Sequence, residues 1–195
     1  MLPPLLRADY TSAPTMHASF SGPSGAPPEV SLEKAGPDDV VVLRRLMQLY
    51  LYDIGSADGW DVGREGLFGN AERIERFWTE PGRHSFLIRI DSVLAGFALV
   101  RDEAWFAGAG TREVSEFFVL RRFRRRGIGA RVATTLFDMF PGRWEVVQMD
   151  SNVDAQAFWQ TVIARYTGGN FEDGERSLEG GRRRVQHFTA PGVRS

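Results

Sequence analysis

The stretch from Arg112 to Phe140 constrains this chain more than any other. A run with strand character passes directly into Arg121-Arg122-Phe123-Arg124-Arg125-Arg126-Gly127-Ile128-Gly129, and a helix begins there. The apolar stripe of that helix is Gly129, Ala133, Leu136, Phe137 and Phe140, and Pro141-Gly142 closes it. A strand, a basic glycine loop and a helix in succession make an anion site. The first N–H groups of a helix have no intrahelical partner, and the macrodipole adds partial positive charge to them. Gly127 and Gly129 keep side chains off that backbone, while Arg124, Arg125 and Arg126 add charge-assisted donors. The loop lacks the Gly-Lys-Ser/Thr end of a Walker P-loop and the third glycine of Gly-x-Gly-x-x-Gly. A pyrophosphate is the ligand it fits.

The rest of the chain supplies a sheet and helices around this unit. Val30 to Lys34 reads as a first strand ending at Gly36-Pro37. Asp38 is the expected cap of a helix with Leu43, Leu46, Met47, Tyr50, Leu51 and Ile54 on one face, stopped by Gly55. A second helix is predicted from Asn70, its cap, to Thr79, with Ile74, Phe77 and Trp78 on one face. Phe86, Ile88 and Ile90, a turn at Asp91-Ser92, and Val93 to Val100 form a hairpin pattern. Arg112 to Leu120 and Trp144 to Met149 read as strands. A last helix carries Ala155, Phe158, Trp159, Val162, Ile163 and Tyr166, and a hairpin about Gly180-Gly181 ends the chain. The order β-α-α-β-β-β-α-β-α-β-β predicts an α/β or α+β single domain over 30–190, a mixed sheet with helices packed on it. Residues 1–29 hold six of the ten prolines and no periodic apolar pattern, which predicts a flexible arm, and 191–195 read as a tail.

Composition then removes function classes. With 24 basic against 25 acidic residues the net charge is −1, so no global field draws the chain to nucleic acid or to an anionic membrane. No apolar run approaches the roughly 18 residues that span a bilayer. The absence of cysteine excludes disulfides, thiolate metal sites and a cysteine nucleophile. His17, His84 and His187 are too scattered for metal-ligand spacing, so no metal is expected. Pro3 and Pro4 interrupt the apolar start and Arg7 follows it, a poor signal peptide, and the expected location is cytoplasmic. All basic residues but Lys34 are arginine, which reads first as composition bias and second as phosphate recognition.

The residues around the loop resemble those of the GNAT superfamily of acyl-CoA-dependent N-acetyltransferases. The family signature, Arg/Gln-x-x-Gly-x-Gly/Ala after a strand with a valine five residues earlier, is matched by Val119 and by Arg124-x-x-Gly127-x-Gly129. Asn152-x-x-Ala155-x-x-Phe158-Trp159 is similar to the family's second cofactor segment. The resemblance implies acetyl-CoA as co-substrate, lying between splayed strands with its pantetheine paired to backbone near Phe117, Phe118 and Val119. The pyrophosphate would rest on Arg124, Arg125, Arg126, Gly127, Ile128, Gly129 and Ala130, and Asn152 would hydrogen-bond the pantetheine arm. It implies transfer to an amine of a small molecule or peptide, and a homodimer as one expected assembly.

Amine acetylation needs a base, because an alkyl amine with a pKa of about 10.4 is almost wholly protonated at pH 7. Glu116 is the preferred candidate and Glu113 the second. Under strict alternation the two point to opposite faces, so only a bulge brings both to one side. Relatives often protonate the leaving thiolate with a tyrosine on the last cofactor helix, but here Trp159 follows Phe158. Tyr166 lies two helical turns on, about 10 Å away. Tyr50, Tyr52 or solvent then supplies the proton, or the protein is a catalytically silent acyl-CoA sensor or scaffold. Tyr52 and Asp53, at the end of the first helix, are the expected acceptor-binding residues. Arg182-Arg183-Arg184 reads as a water-facing strand run, with the CoA 3′-phosphate as its alternative ligand.

Overall fold

The computed structural model describes residues 28–69, 72–178 and 181–191. Nearly all of the expected arm, most of the tail, His17, Asn70 and Gly180 lie outside the described residues. The elements follow the predicted order: β1 (Val30–Lys34), α1 (Val40–Asp58), α2 (Glu72–Thr79), β2 (Arg83–Ile90), β3 (Val93–Ala104), β4 (Gly108–Val119), α3 (Ile128–Met139), β5 (Gly142–Met149), α4 (Val153–Thr167), β6 (Phe171–Leu178) and β7 (Gly181–Ala190). The β2–β3 turn is Asp91-Ser92 at φ 48° and 66°, the paired positive values that match the twist of a two-residue hairpin.

Two boundaries of α1 differ from expectation. Asp38 lies in a 3-10 turn, Pro37–Asp39, and it is Asp39 whose Oδ2 accepts from the Gly36 N–H at 2.9 Å. Gly55 does not end the helix, which runs on to a left-handed Gly59 at φ 66°. Its missing side chain serves packing instead. A Cβ there would lie 2.9 Å from the Trp60 ring, and Trp60 donates its backbone N–H to the Gly55 carbonyl.

The seven strands form one sheet in the order β1-β2-β3-β4-β5-β7-β6, with β6 at one edge. Only β4 and β5 are parallel. On one face α3 and α4 bury Val132, Leu136, Phe137, Trp159 and Ile163 against Ile88, Val114, Trp144 and Phe188. On the other, α1 and α2 bury Leu43, Leu46, Met47 and Ile74 against Leu87, Phe97, Leu99 and Phe118.

Two irregularities in this sheet position the site. The β4–β5 register runs from Thr111↔Arg143 to Val114↔Val146, although β4 continues to Val119 and β5 to Met149. Beyond that point the parallel neighbours part. Within β4, Leu99 faces Glu116 but Val100 faces Val114, so Ser115 is an inserted bulge residue. Val114, Phe117 and Val119 therefore share the α3/α4 face, while Phe118 belongs to the opposite core. Gly96 permits the close approach of β3 at this point, since a Cβ would sit 1.9 Å from the Phe118 carbonyl oxygen.

Candidate active site

The strand end and helix start build an anion cradle from backbone. Gly127 caps α3 at φ 74°, with open space where a Cβ would be, and Arg125 is also left-handed at φ 64°. These left-handed residues on either side of Arg126 lead into α3, whose first-turn N–H groups have no intrahelical partner. For a residue other than glycine the Arg125 conformation is strained, and such strain collects at functional loops. The guanidinium groups of Arg125 and Arg126 are exposed and make no ion pair among the described residues. Ile128 is buried as the anchor of the helix, and Gly129 and Ala130 are half-buried. A Cβ on Gly129 would come within 3.1 Å of the Phe158 ring. A glycine pair that leaves backbone donors uncovered fits the pyrophosphate of a CoA thioester.

Arg124 behaves differently from its neighbours. Its Nε donates to the Val119 carbonyl at 2.6 Å, its Nη2 donates to Asp53 Oδ2 at 2.5 Å, and its guanidinium lies over the Phe118 ring. Arg121 donates to the other oxygen of Asp53 at 2.6 Å. Asp53 is thus a clasp between the end of α1 and the basic loop. Burial pushes its carboxyl up, but the hydrogen bonds from Arg124 and Arg121 outweigh burial and hold it below the ordinary aspartate value. Tyr52, expected beside it in an acceptor site, is exposed and packs on Phe68.

On the α1/α2 face a small, partly open cleft lies beside the bulge. Its apolar wall is Met47, Ile74, Phe77 and Leu99; Arg76, Arg83, Arg101, Ser115 and Glu116 complete it. None of the three arginines was singled out from the sequence, because they come from α2, β2 and β3 and share no local motif. Glu113 is brought to the same side by the bulge but is buried below the cleft. Its Oε2 accepts from Arg101 Nη2 at 2.6 Å and from the Trp105 N–H at 2.7 Å. Burial pushes the Glu113 carboxyl above the usual glutamate value, against the opposing pull of Arg101. Glu116 reaches the cleft and Glu113 does not.

Helix α4 completes the surroundings. Asn152 is its N-cap, with Oδ1 accepting from the Ala155 N–H at 3.1 Å, so the side-chain NH2 is the part left to meet a ligand. Phe158 stacks on Phe117, and Trp159 packs edge-on against Phe117 with only 5% of its surface exposed. Trp159 is a core residue. The Tyr166 hydroxyl donates to Asp138 at 2.7 Å, so its proton is committed to that carboxylate, and burial together with the carboxylate raises its pKa. Tyr50 instead packs against Phe97 and Phe118, beside the β4 end. Arg182 pairs with Asp150 and Glu175, and Arg184 with Asp173, at the outer strands. No group of side chains able to hold a metal occurs among the described residues.

Residues 53–162 match the family model described as the Acetyltransferase (GNAT) family. No curated protein matches the chain. Among solved structures, a GNAT-family acetyltransferase from Streptococcus agalactiae is similar with a TM-score of 0.64 at 16% identity, over 82% of this chain and 95% of that one. The ribosomal-protein-S18-alanine N-acetyltransferase from Escherichia coli gives 0.56 at 10% identity, over 86% and 97%. A variant spermidine N-acetyltransferase from Vibrio cholerae gives 0.54 at 9% identity, over 83% and 94%. At these identities the likeness is one of fold.

Proposed function

Because this chain belongs to the acetyltransferase (GNAT) family, we propose that it transfers an acetyl group from acetyl-CoA to an amine bound in the same complex. The observation that carries this reading is the parting of β4 from β5 beyond Val114, between the α3 cradle and the cleft that holds Glu116. Acetyl-CoA supplies the activated thioester. Backbone groups of Phe117, Phe118 and Val119 pair with its pantetheine, and Asn152 offers its amide NH2 to the same arm. The N–H groups from Gly127 to Ala130, with the Arg125 and Arg126 side chains, hold the pyrophosphate. A backbone N–H on this strand polarises the reacting carbonyl.

Glu116 takes the proton released as the amine nitrogen bonds to the acetyl carbon and the carbon–sulfur bond breaks. A thiol has an ordinary pKa of about 8.5, so the leaving sulfur makes a weaker demand for an acid than the amine makes for a base. Tyr50, which packs on Phe118 beside the β4 end, or solvent supplies that proton. Two of the structural neighbours act, by their names, on a ribosomal protein's alanine and on spermidine, which supports an amine acceptor in general.

Calorimetric titration of acetyl-CoA into the protein, followed by assay of thiol release with a panel of amines, tests the proposal. Micromolar binding with amine-dependent release is expected. Binding with no release from any amine favours the silent sensor, the reading to which the core placement of Trp159 points. No binding overturns the assignment of the cradle.

A further inference from the structure

The acceptor side of β4 carries an arrangement that amine chemistry alone does not require. Arg83 on β2 and Arg101 on β3 are direct partners in the antiparallel register, and both line the cleft. Directly opposed like charges destabilise a sheet. Their acidic neighbours only partly answer them. Glu80 accepts from Arg83 Nε and Nη2 and also from Arg76, and Glu113 accepts a single Nη of Arg101. The Arg101 Nε is buried with no hydrogen-bond partner, and so is Ser85 Oγ, two residues along β2 on the same face as Arg83. A buried donor without an acceptor costs free energy until something accepts from it.

The register also sets the distance to the base. Leu99 faces Glu116, and Arg101 stands two residues further along the same face of β3, about 7 Å away by strand rise. That spacing suits a ligand with its nitrogen at Glu116 and an anionic group at the arginine pair. Between them lies the apolar wall of Met47, Ile74, Phe77 and Leu99.

Resting on the acetyltransferase reading, we infer that the acceptor is an amine that also carries a carboxylate, an amino acid with an apolar side chain. Arg101 and Arg83, which line the cleft, hold its carboxylate through their guanidinium N–H groups, and the amine is presented to Glu116. Guanidinium forks suit a planar carboxylate.

Two measurements test this on the full chain. In the first, N-acetyl-L-phenylalanine and N-phenethylacetamide, products with and without the carboxylate, are titrated into protein saturated with CoA. At least tenfold tighter binding of the carboxylate compound is expected, reduced toward parity in Arg101→Gln and in Arg83→Gln, the variant that leaves Glu113 its Arg101 partner. Equal binding, or none by either compound, overturns the inference. In the second, thiol release is compared for L-phenylalanine, phenethylamine and spermidine, with at least a tenfold advantage in kcat/KM expected for the amino acid. Equal or faster release with phenethylamine or spermidine overturns the carboxylate site and leaves the acetyltransferase reading standing. Carboxylate-dependent binding with no thiol release from any amine supports the site and removes the transferase reading.

Discussion

The two halves of β4 use the same kind of residue to opposite ends. At Glu113 and Val114 the strand is paired on both sides, and its carboxylate is consumed by the protein itself. Glu113 holds Arg101 and the Trp105 N–H, and its neighbour in register, Glu145, accepts from the Phe106 and Ala107 N–H groups and from His187, at 2.8 to 2.9 Å. From Ser115 to Val119 the strand has parted from β5, and its carboxylate, Glu116, lines a cleft. A buried acid whose oxygens are filled by main-chain donors stiffens a turn, whereas an acid that lines a cleft stands within reach of a substrate. The difference is made by one inserted residue and one lost pairing.

Substitutions on the two halves should separate cleanly. Glu116→Gln is expected to have the largest effect, lowering kcat by about 10²- to 10⁴-fold with acetyl-CoA affinity unchanged, as read by steady-state kinetics beside calorimetry. Unchanged turnover would remove Glu116 as the base. Gly129→Trp crowds the Phe158 ring at the first turn of α3, so loss of acetyl-CoA binding by at least a hundredfold is expected, with the thermal transition measured beside it to separate lost binding from lost folding. Glu145→Ala strips two backbone N–H groups and His187 of their acceptor and should cost about 2 to 4 kcal/mol of stability in denaturant unfolding. Acetyl-CoA affinity should survive it, and a matching loss of affinity would mean that the halves are not independent.

The smallest effect concerns the clasp that joins α1 to the basic loop. Asp53→Asn should cost about 1 to 2 kcal/mol, because two charge-assisted partners lose their anion. The folded-state pKa of Asp53 lies below its unfolded value, so its contribution is full above the unfolded pKa and is lost as pH falls through the folded one. The stability gap between wild type and variant should stay constant from pH 7 to about pH 5 and close below about pH 4. A gap that closes at higher pH would assign the effect to another group.

Local pattern accounts for what the sequence made legible. The α3 stripe, the glycines at 127 and 129 and the Asp91-Ser92 turn are set by neighbours within a few residues, and each lies where periodicity puts it. The bulge at Ser115 has no such mark, because it is created by the register of β3 against β4. The sequence could say only that Glu113 and Glu116 needed one. The Asp53–Arg124 bond spans 71 residues, and the arginine pair of the cleft is created by strand pairing alone. Gly55 looks like a stop in the sequence because glycine ends helices more often than it makes room in them, and the room here belongs to Trp60.

The position of β6 has a consequence for how copies of this protein meet. An exposed sheet edge is a template on which a neighbouring chain can add a strand, and charged side chains are the usual deterrent. Strand β6 carries Glu172, Asp173, Glu175 and Arg176, and β7 behind it answers with Arg182 and Arg184. A second copy docking there would have to strip water from each of those charges, so fibre-like growth from this rim is blocked. Inside the sheet the ladder also parts, between β4 and β5 beyond Val114, a gap too confined for a polypeptide strand to propagate.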